Sequence, residues 1–249
     1  MLNDLYDVYS VLWADLRNMR RHWQATVASS LVLPLLYLVA FGYGLGRNTN
    51  IDGVSYLTFV IPGIIALTAF TTSFNGAAFK LQVDKIFYQS FDELLLAPIG
   101  LQSIVAGKSL IGVIRGLISS ASILVVGAVL SPTLIISPLF VIALIVSCFV
   151  FALFGVLIAL VTNSHQRMST FNNLVILPMT FLCGTFFSLS QMPDAAKAVL
   201  YALPLTHSSE CLRASALGQP FPWFSLVALL FFGLAFFIGS IITLEKASI

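Results

Sequence analysis

Long apolar runs separated by short polar stretches set the pattern of this chain. They fall at about 25–45, 55–79, 101–130, 139–161, 169–189 and 223–244. A bilayer crossing takes about 20 mostly apolar residues as a helix, so six spans are predicted. The third run is long for one crossing, which places its first turns beyond the bilayer. Alternating strands of about ten residues, the mark of a membrane barrel, do not occur. Ahead of the first run, Leu5, Val8, Leu12, Leu16, Met19 and Trp23 recur at steps of three or four, while Asp7, Asp15, Asn18 and Arg21 fall elsewhere. Residues 3–23 therefore read as an amphipathic helix lying flat on the membrane, with Trp13 and Trp23 at the water boundary.

Three of the polar stretches between the runs are more than simple turns. Gln82 to Gly100 (QVDKIFYQSFDELLLAPIG) carries Asp84, Lys85, Asp92 and Glu93, yet Phe87, Phe91 and Leu95 recur every fourth residue. That period puts three apolar side chains on one face of a short helix. Two readings stand: a helix resting at the lipid interface, or a knob docking into a soluble partner. Thr162 to Met168 (TNSHQRM) is a short connector charged by His165 and Arg167. Residues 191–219 are too polar to span and too apolar for a free loop. Helices are expected on either side of Pro204, dipping into the membrane from outside.

Composition agrees with the pattern: 59% hydrophobic, 9% charged and a mean hydropathy of +0.99, against about a quarter charged in ordinary soluble domains. The fold class is all-α, a polytopic membrane protein. A net charge of +2 gives no footprint for nucleic acid. A cleavable signal peptide is not expected, because about two dozen mixed residues precede the first run. Cys148, Cys183 and Cys211 lack metal-ligand spacing and form no disulfide framework. Arg17, Arg20, Arg21, Lys80, Lys85, Arg167 and Lys246 lie on one side of the predicted spans, with Lys108 nearby. Arg47, Lys197 and Arg213 lie on the other. This bias predicts that both termini and the 82–100 stretch are cytoplasmic.

Candidate chemistry is sparse. Gly107-Lys108-Ser109 resembles the end of a phosphate loop, but Gln102 stands where that loop needs glycine, and no strand precedes it. Lys108 and Arg115 are two turns apart on one helix face. Charges inside spans face a bundle interior or cavity, or snorkel to the boundary; snorkelling suits Lys108, and a polar path or an anionic head group suits Arg115. His207, Glu210 and Arg213 are spaced by three. Glu210 and Arg213 either pair with each other or form part of an exit gate. No catalytic constellation and no metal site are expected.

Two motifs resemble a known family. SFDELLLAPIG (Ser90 to Gly100), after the second span, is similar to the cytoplasmic loop of type-two ATP-binding-cassette export permeases. LPLTHSSECLRASALG (Leu203 to Gly218) resembles that family's outer segment. TFLCGTFFSLSQMP (Thr180 to Pro193) is most similar to the branch exporting lipo-chitooligosaccharide nodulation factors, with bacterial relatives assigned to drugs, polysaccharides and glycolipids.

The resemblance implies a coupling helix over Asp84 to Leu95. Phe87, Tyr88 and Phe91 would enter a groove on an ATPase, and Asp92 and Glu93 would meet basic residues at its rim. His165 and Arg167 would form a second, smaller contact. The N-terminal helix would brace the ATPase, with Asp7, Asp15, Arg17 and Arg21 exposed. Lys108, Arg115, His207, Glu210 and Arg213 would belong to the cargo path or its gate. The chain carries no ATPase domain. The resemblance therefore implies two copies of a separate cytoplasmic ATPase subunit that bind ATP and Mg, with no cofactor on this chain, and a second permease copy in a homodimer. It implies the bacterial inner membrane, contact with its lipids, and an amphipathic cargo. Aromatic residues Phe70, Phe74, Phe181, Phe186 and Phe187 either line an apolar route or pack.

Rival functions are an ion-driven secondary transporter, a membrane enzyme acting on lipids, and a non-transporting anchor or sensor. Secondary transporters often carry midplane acids and inverted repeats; neither is found in this sequence.

Overall fold

In a bilayer every backbone amide and carbonyl must be satisfied within the protein, which leaves helices as the form for runs of this length. The structure, a computed structural model, describes residues 2–45, 50–51, 54–187 and 192–247. Arg47, Gln191, the last two residues expected of the fifth span, and the side chains of Asn18, Arg20, Arg21 and Trp23 lie outside this description.

Helix α1 (Leu2–Tyr37) continues as wider π-type turns, Leu38–Leu45. A small hairpin pairs β1 (Asn50–Ile51) with β2 (Val54–Ser55). Then follow α2 (Tyr56–Ile86), α3 (Ser90–Leu96), α4 (Leu101–Leu130) and α5 (Pro138–Val161). The fifth predicted span is a single rod in three parts: α6 (His165–Phe171), π turns at Asn172–Ile176, and α7 (Leu177–Leu182). Helices α8 (Asp194–Tyr201) and α9 (Pro204–Ala216) lie on either side of Leu203, and α10 (Trp223–Ala247) closes the fold. The protein is a polytopic helical membrane protein. Among the described residues, α2, α4, α5 and α10 are each long and apolar enough to cross a bilayer, and Ser30–Phe41 is a shorter apolar stretch.

Helix α2 is the axis. Of its most apolar stretch 83% is buried, against 17% for α10, whose Phe224, Val227, Phe231 and Leu234 point outward. Helices α1, α4, α5 and α9 pack around α2. Small residues allow the approach: a Cβ on Gly112 would lie 2.5 Å from the Ser73 carbonyl oxygen, and one on Gly155 would collide with the Phe74 carbonyl. Without a hydrophobic drive between helices in lipid, this closeness is a main source of association. Phe70 and Phe74 are fully buried here, with Phe70 edge-on to Phe151 at 4.9 Å. They pack the core. Phe186 also packs, stacked on Phe41 at 4.3 Å.

Two expectations need correction. No break separates residues 3–23 from the first apolar run, because α1 is continuous through Tyr37. Its Asp15 is buried rather than exposed, and Val11, also buried, lies 2.8 Å from where a Cβ on Gly107 of α4 would stand. Nor is Asp84 to Leu95 one helix. Residues Asp84 to Ile86 end α2, Gln89 turns left-handed at φ 52°, and α3 begins at Ser90.

Candidate functional site

The predicted functional residues are strung along α2, from the α3 end to the opposite end. At the α3 end the left-handed turn at Gln89 separates Phe87 from Phe91, so the one-face alignment is lost. Phe91 is 3% exposed and seats α3 in the bundle core. Phe87 and Tyr88 stand out at 66% and 71% exposed, with Asp92 and Glu93 exposed beside them. The 162–168 connector joins this surface. Lys85 Nζ donates to the Leu160 carbonyl at 3.1 Å and to Asn163 Oδ1 at 2.9 Å. Gln82 Nε2 donates to the Ser164 carbonyl at 3.3 Å. The Phe87 ring lies 5.1 Å from that of His165, and His165 and Arg167 are both exposed. Two stretches about 80 residues apart in sequence thus present one aromatic knob edged with charge. Such anchors with a charged rim are the usual make-up of a binding hot spot.

Asp84 is not on that surface. It is 3% exposed and belongs to a square of charges with Asp15 and Lys108, which are also buried, and Lys80, which is partly exposed at its edge. Lys108 Nζ lies 2.6 Å from Asp84 Oδ2 and 3.1 Å from Asp15 Oδ2. Lys80 pairs with Asp84, and with Asp15 at 3.1 Å. Lys108 does not snorkel; it is held between α1 and α2. Gly107-Lys108-Ser109 lies inside α4, with Gly107 against Val11, so these residues form no phosphate loop. Lys80 and Asp84 are an i,i+4 pair on α2 that sequence spacing allows, whereas no spacing connects them to Asp15 of α1 or Lys108 of α4.

Two turns further along α4, Arg115 lines a cleft of about 680 Å³ between α1, α2, α4 and the α6–α7 rod. Its polar lining includes Thr71, Thr72, Asn75, Asn172, Asn173 and Thr180; Leu33, Leu67, Ile176 and Leu177 give an apolar wall. Among the described residues no carboxylate is within ion-pair distance of Arg115, and its Nε is buried without a partner, as are Asn75 Oδ1 and Asn172 Oδ1. The π turns explain why Asn172 and Asn173 reach this space. Pro178 lacks an N–H and crowds the carbonyl four residues before it, and the rod widens there, the Leu177 N–H bonding to the Asn172 carbonyl. Single π turns of this kind recur at functional sites.

At the opposite end of α2, Arg213 and Glu210 are not partners among the described contacts. Arg213 donates to the carbonyls of Gly184 at 2.7 Å, Thr185 at 3.2 Å and Phe59 at 3.4 Å, with its guanidinium 4.0 Å above the Phe59 ring. Gly63 permits this closeness, since a Cβ there would strike the Thr185 carbonyl. Glu210 accepts from Tyr201 at 2.6 Å and Ser225 at 2.7 Å. That hydrogen bond, followed by burial, pushes the Tyr201 hydroxyl up to about 12. His207 is buried, its Nε2 2.9 Å from the Tyr201 carbonyl and its Nδ1 without a partner.

With this geometry in place, comparison with known proteins adds the following. Residues 6–217 match the family described as ABC-2 type transporter. Nodulation protein J of Rhizobium meliloti (strain 1021) is 30% identical over 198 residues, covering 79% of this chain and 76% of that protein. The inner membrane transport permease YadH of Escherichia coli (strain K12) is 28% identical over 210 residues, covering 83% and 82%.

Proposed function

The chain belongs to the ABC-2 type transporter family, and from that premise we propose that it is the permease subunit of an exporter in the bacterial inner membrane. It carries an amphipathic cargo (a glycolipid, polysaccharide or drug) outward and hydrolyses nothing itself. A separate ATP-binding subunit, present in two copies, holds ATP and Mg and docks on the Phe87–Tyr88 knob. A second copy of this chain completes the path, and both termini lie with the knob on the cytoplasmic side. The description of YadH as an inner membrane transport permease supports the location.

The observation that carries this reading is the knob itself. Two aromatic side chains stand in solvent at the tip of the most buried helix, braced by Phe91 below and by the 162–168 connector beside them. An exposed aromatic patch rimmed by polar residues is the kind of surface that marks a protein–protein contact. A pull on the knob reaches the core of the bundle through α2 without a flexible joint, and rigid-body motion of this sort is an ordinary transport device.

Co-expression with the ATPase encoded beside the gene tests it. Purification through a tag on this chain should bring the ATPase along, and Phe87→Ala with Tyr88→Ala should abolish that while the protein stays folded. Phe91→Ala should instead lower thermal stability, because it empties a core position. Undiminished capture of the ATPase by the Phe87/Tyr88 double variant would end the docking assignment.

A further inference from the structure

The last two turns of α2 are held on nearly opposite faces. At about 100° per residue, Lys80 and Asp84 point one way, into the square with Asp15 and Lys108. Gln82 and Lys85 point the other way. The Lys85 ammonium donates to the Leu160 carbonyl, in the last turn of α5, and to Asn163 Oδ1. Gln82 Nε2 donates to Thr162 Oγ1 at 3.4 Å and to the Ser164 carbonyl. Thr162 ends α5, with its N–H on the Ile158 carbonyl, and Ser164 opens α6, its Oγ accepting from the Arg167 N–H. The carbonyls of a last helical turn lack partners within their own helix. A lysine there satisfies one of them and meets the negative end of the dipole. Here that lysine comes from another helix, so α2 grips the end of α5 and the start of the α6–α7 rod together.

Beyond the grip the rod changes character. Its π turns at Asn172–Ile176 are the kind of place where a helix bends. The part of the rod that lines the cleft begins at the same point, with Asn172, Asn173, Ile176, Leu177 and Thr180. We propose that Lys85, assisted by Gln82, is a positioning residue that delivers movement of the knob to the rod. Helix α6 follows α2, the rod bends at its π turns, and the cleft wall from Asn172 to Thr180 shifts against α2 and α4. A connector that only touched a partner would use His165 and Arg167, and would leave the Lys85 ammonium free to join them at the rim. Instead that ammonium is turned back onto α5. The proposal rests on the permease reading for the source of the movement and goes beyond it in giving that movement a second route besides α2.

Two measurements test it. In nanodiscs without the ATPase, limited trypsin digestion reads the grip. Lys85→Met should speed cleavage after Arg167 about tenfold or more, the loss of about one hydrogen bond from a charged donor, while Lys85→Arg should stay near the unaltered rate. In the complex, Lys85→Met should still capture the ATPase, because Phe87 and Tyr88 are unchanged, but transport should fall about tenfold or more. A bimane on Thr170→Cys should lose its fluorescence response to ATP with vanadate. The native cysteines are buried, so the added thiol labels selectively. Lys85→Arg should restore transport and the response in large part, and Asn163→Ala should move both readouts the same way by less. A merely structural lysine would lower melting temperature, capture and transport together. Normal transport and bimane response in Lys85→Met would overturn the proposal, whatever trypsin shows. Loss of ATPase capture in that variant would also overturn it, since Lys85 would then belong to the docking surface. An unaltered complex that transports with no bimane response would overturn it too, while the permease reading stood. If the unaltered chain captures no ATPase, the permease reading falls and the transmission with it, and trypsin alone still tells whether Lys85 holds the connector.

Discussion

Burying a charge costs several kcal/mol unless partners and hydrogen bonds replace the lost water, and the square of Asp15, Lys80, Asp84 and Lys108 meets that condition with two carboxylates facing two ammoniums. Its net charge is zero, so removing any one member strands a charge. Asp84→Asn should destabilise the protein by about 3–5 kcal/mol, the usual cost of breaking a buried pair. Replacing Asp84 and Lys108 together with leucine should recover much of that loss, leaving Asp15 with Lys80. Thermal unfolding in detergent compares the three proteins. If the double variant were less stable than Asp84→Asn, the square would not be the balanced unit described here. Lys108 also shows what sequence can reach at this scale. A lysine near a helix end invites a snorkelling reading, because its two partners lie 93 and 24 residues away and no spacing rule connects them.

Helices are positioned by how closely their backbones approach, and glycines decide where that is possible. Gly155 faces the Phe74 backbone across the α5–α2 contact, whereas a Cβ on Gly44 would meet nothing within 4 Å. Gly155→Ala should therefore cost about 1–3 kcal/mol, as overpacking does, while Gly44→Ala should be neutral or slightly stabilising, as alanine suits a helix better than glycine. Parallel thermal melts decide it, and equal melting of the two variants would count against the close approach. Most helices of the fold were legible from hydropathy: α4 covers the residues expected of the third run, and α5 and α10 come within a few residues of theirs. The turn at Gln89 was not, because the four-residue period of Phe87, Phe91 and Leu95 fits a continuous helix equally well and glutamine does not announce a left-handed backbone. That miss put Phe91 and Asp84 on the wrong surface. At the cleft Arg115 was legible as a charge within a span. Asn75, Asn172 and the threonines were not, since which polar side chains share a cavity depends on how the helices pack and, for Asn172, on the π turns. Asn172-Asn173 beside Pro178, inside an apolar run, was the one available signal.

Across the whole molecule, α2 connects places that would otherwise be independent. Phe59, at one end, gives its carbonyl and ring to Arg213; Asn75 lies at the cleft; Asp84 joins the ionic square; Phe87 caps the exposed tip. From Phe59 to Phe87 a helix rises about 40 Å, far beyond the reach of a local packing change, so defects at the two ends should separate in experiment. Arg213 holds the non-helical 183–185 stretch by donating from Nη2 to the Gly184 and Thr185 carbonyls while its Nε donates to the Phe59 carbonyl. Lysine keeps the charge but cannot reach these three carbonyls from one rigid planar group. On the permease reading, Arg213→Lys should leave capture of the ATPase at the level of the unaltered protein, because the knob is untouched, and should lower transport about tenfold, the cost of about one such hydrogen bond in the moving part. Phe87→Ala with Tyr88→Ala should do the reverse and lose the ATPase outright. Transport measured in vesicles, together with ATPase co-purification from the same preparations, distinguishes the two. If Arg213→Lys released the ATPase, the opposite end of α2 would govern the knob directly. If it altered neither measurement, the 183–185 stretch would lie outside the moving part.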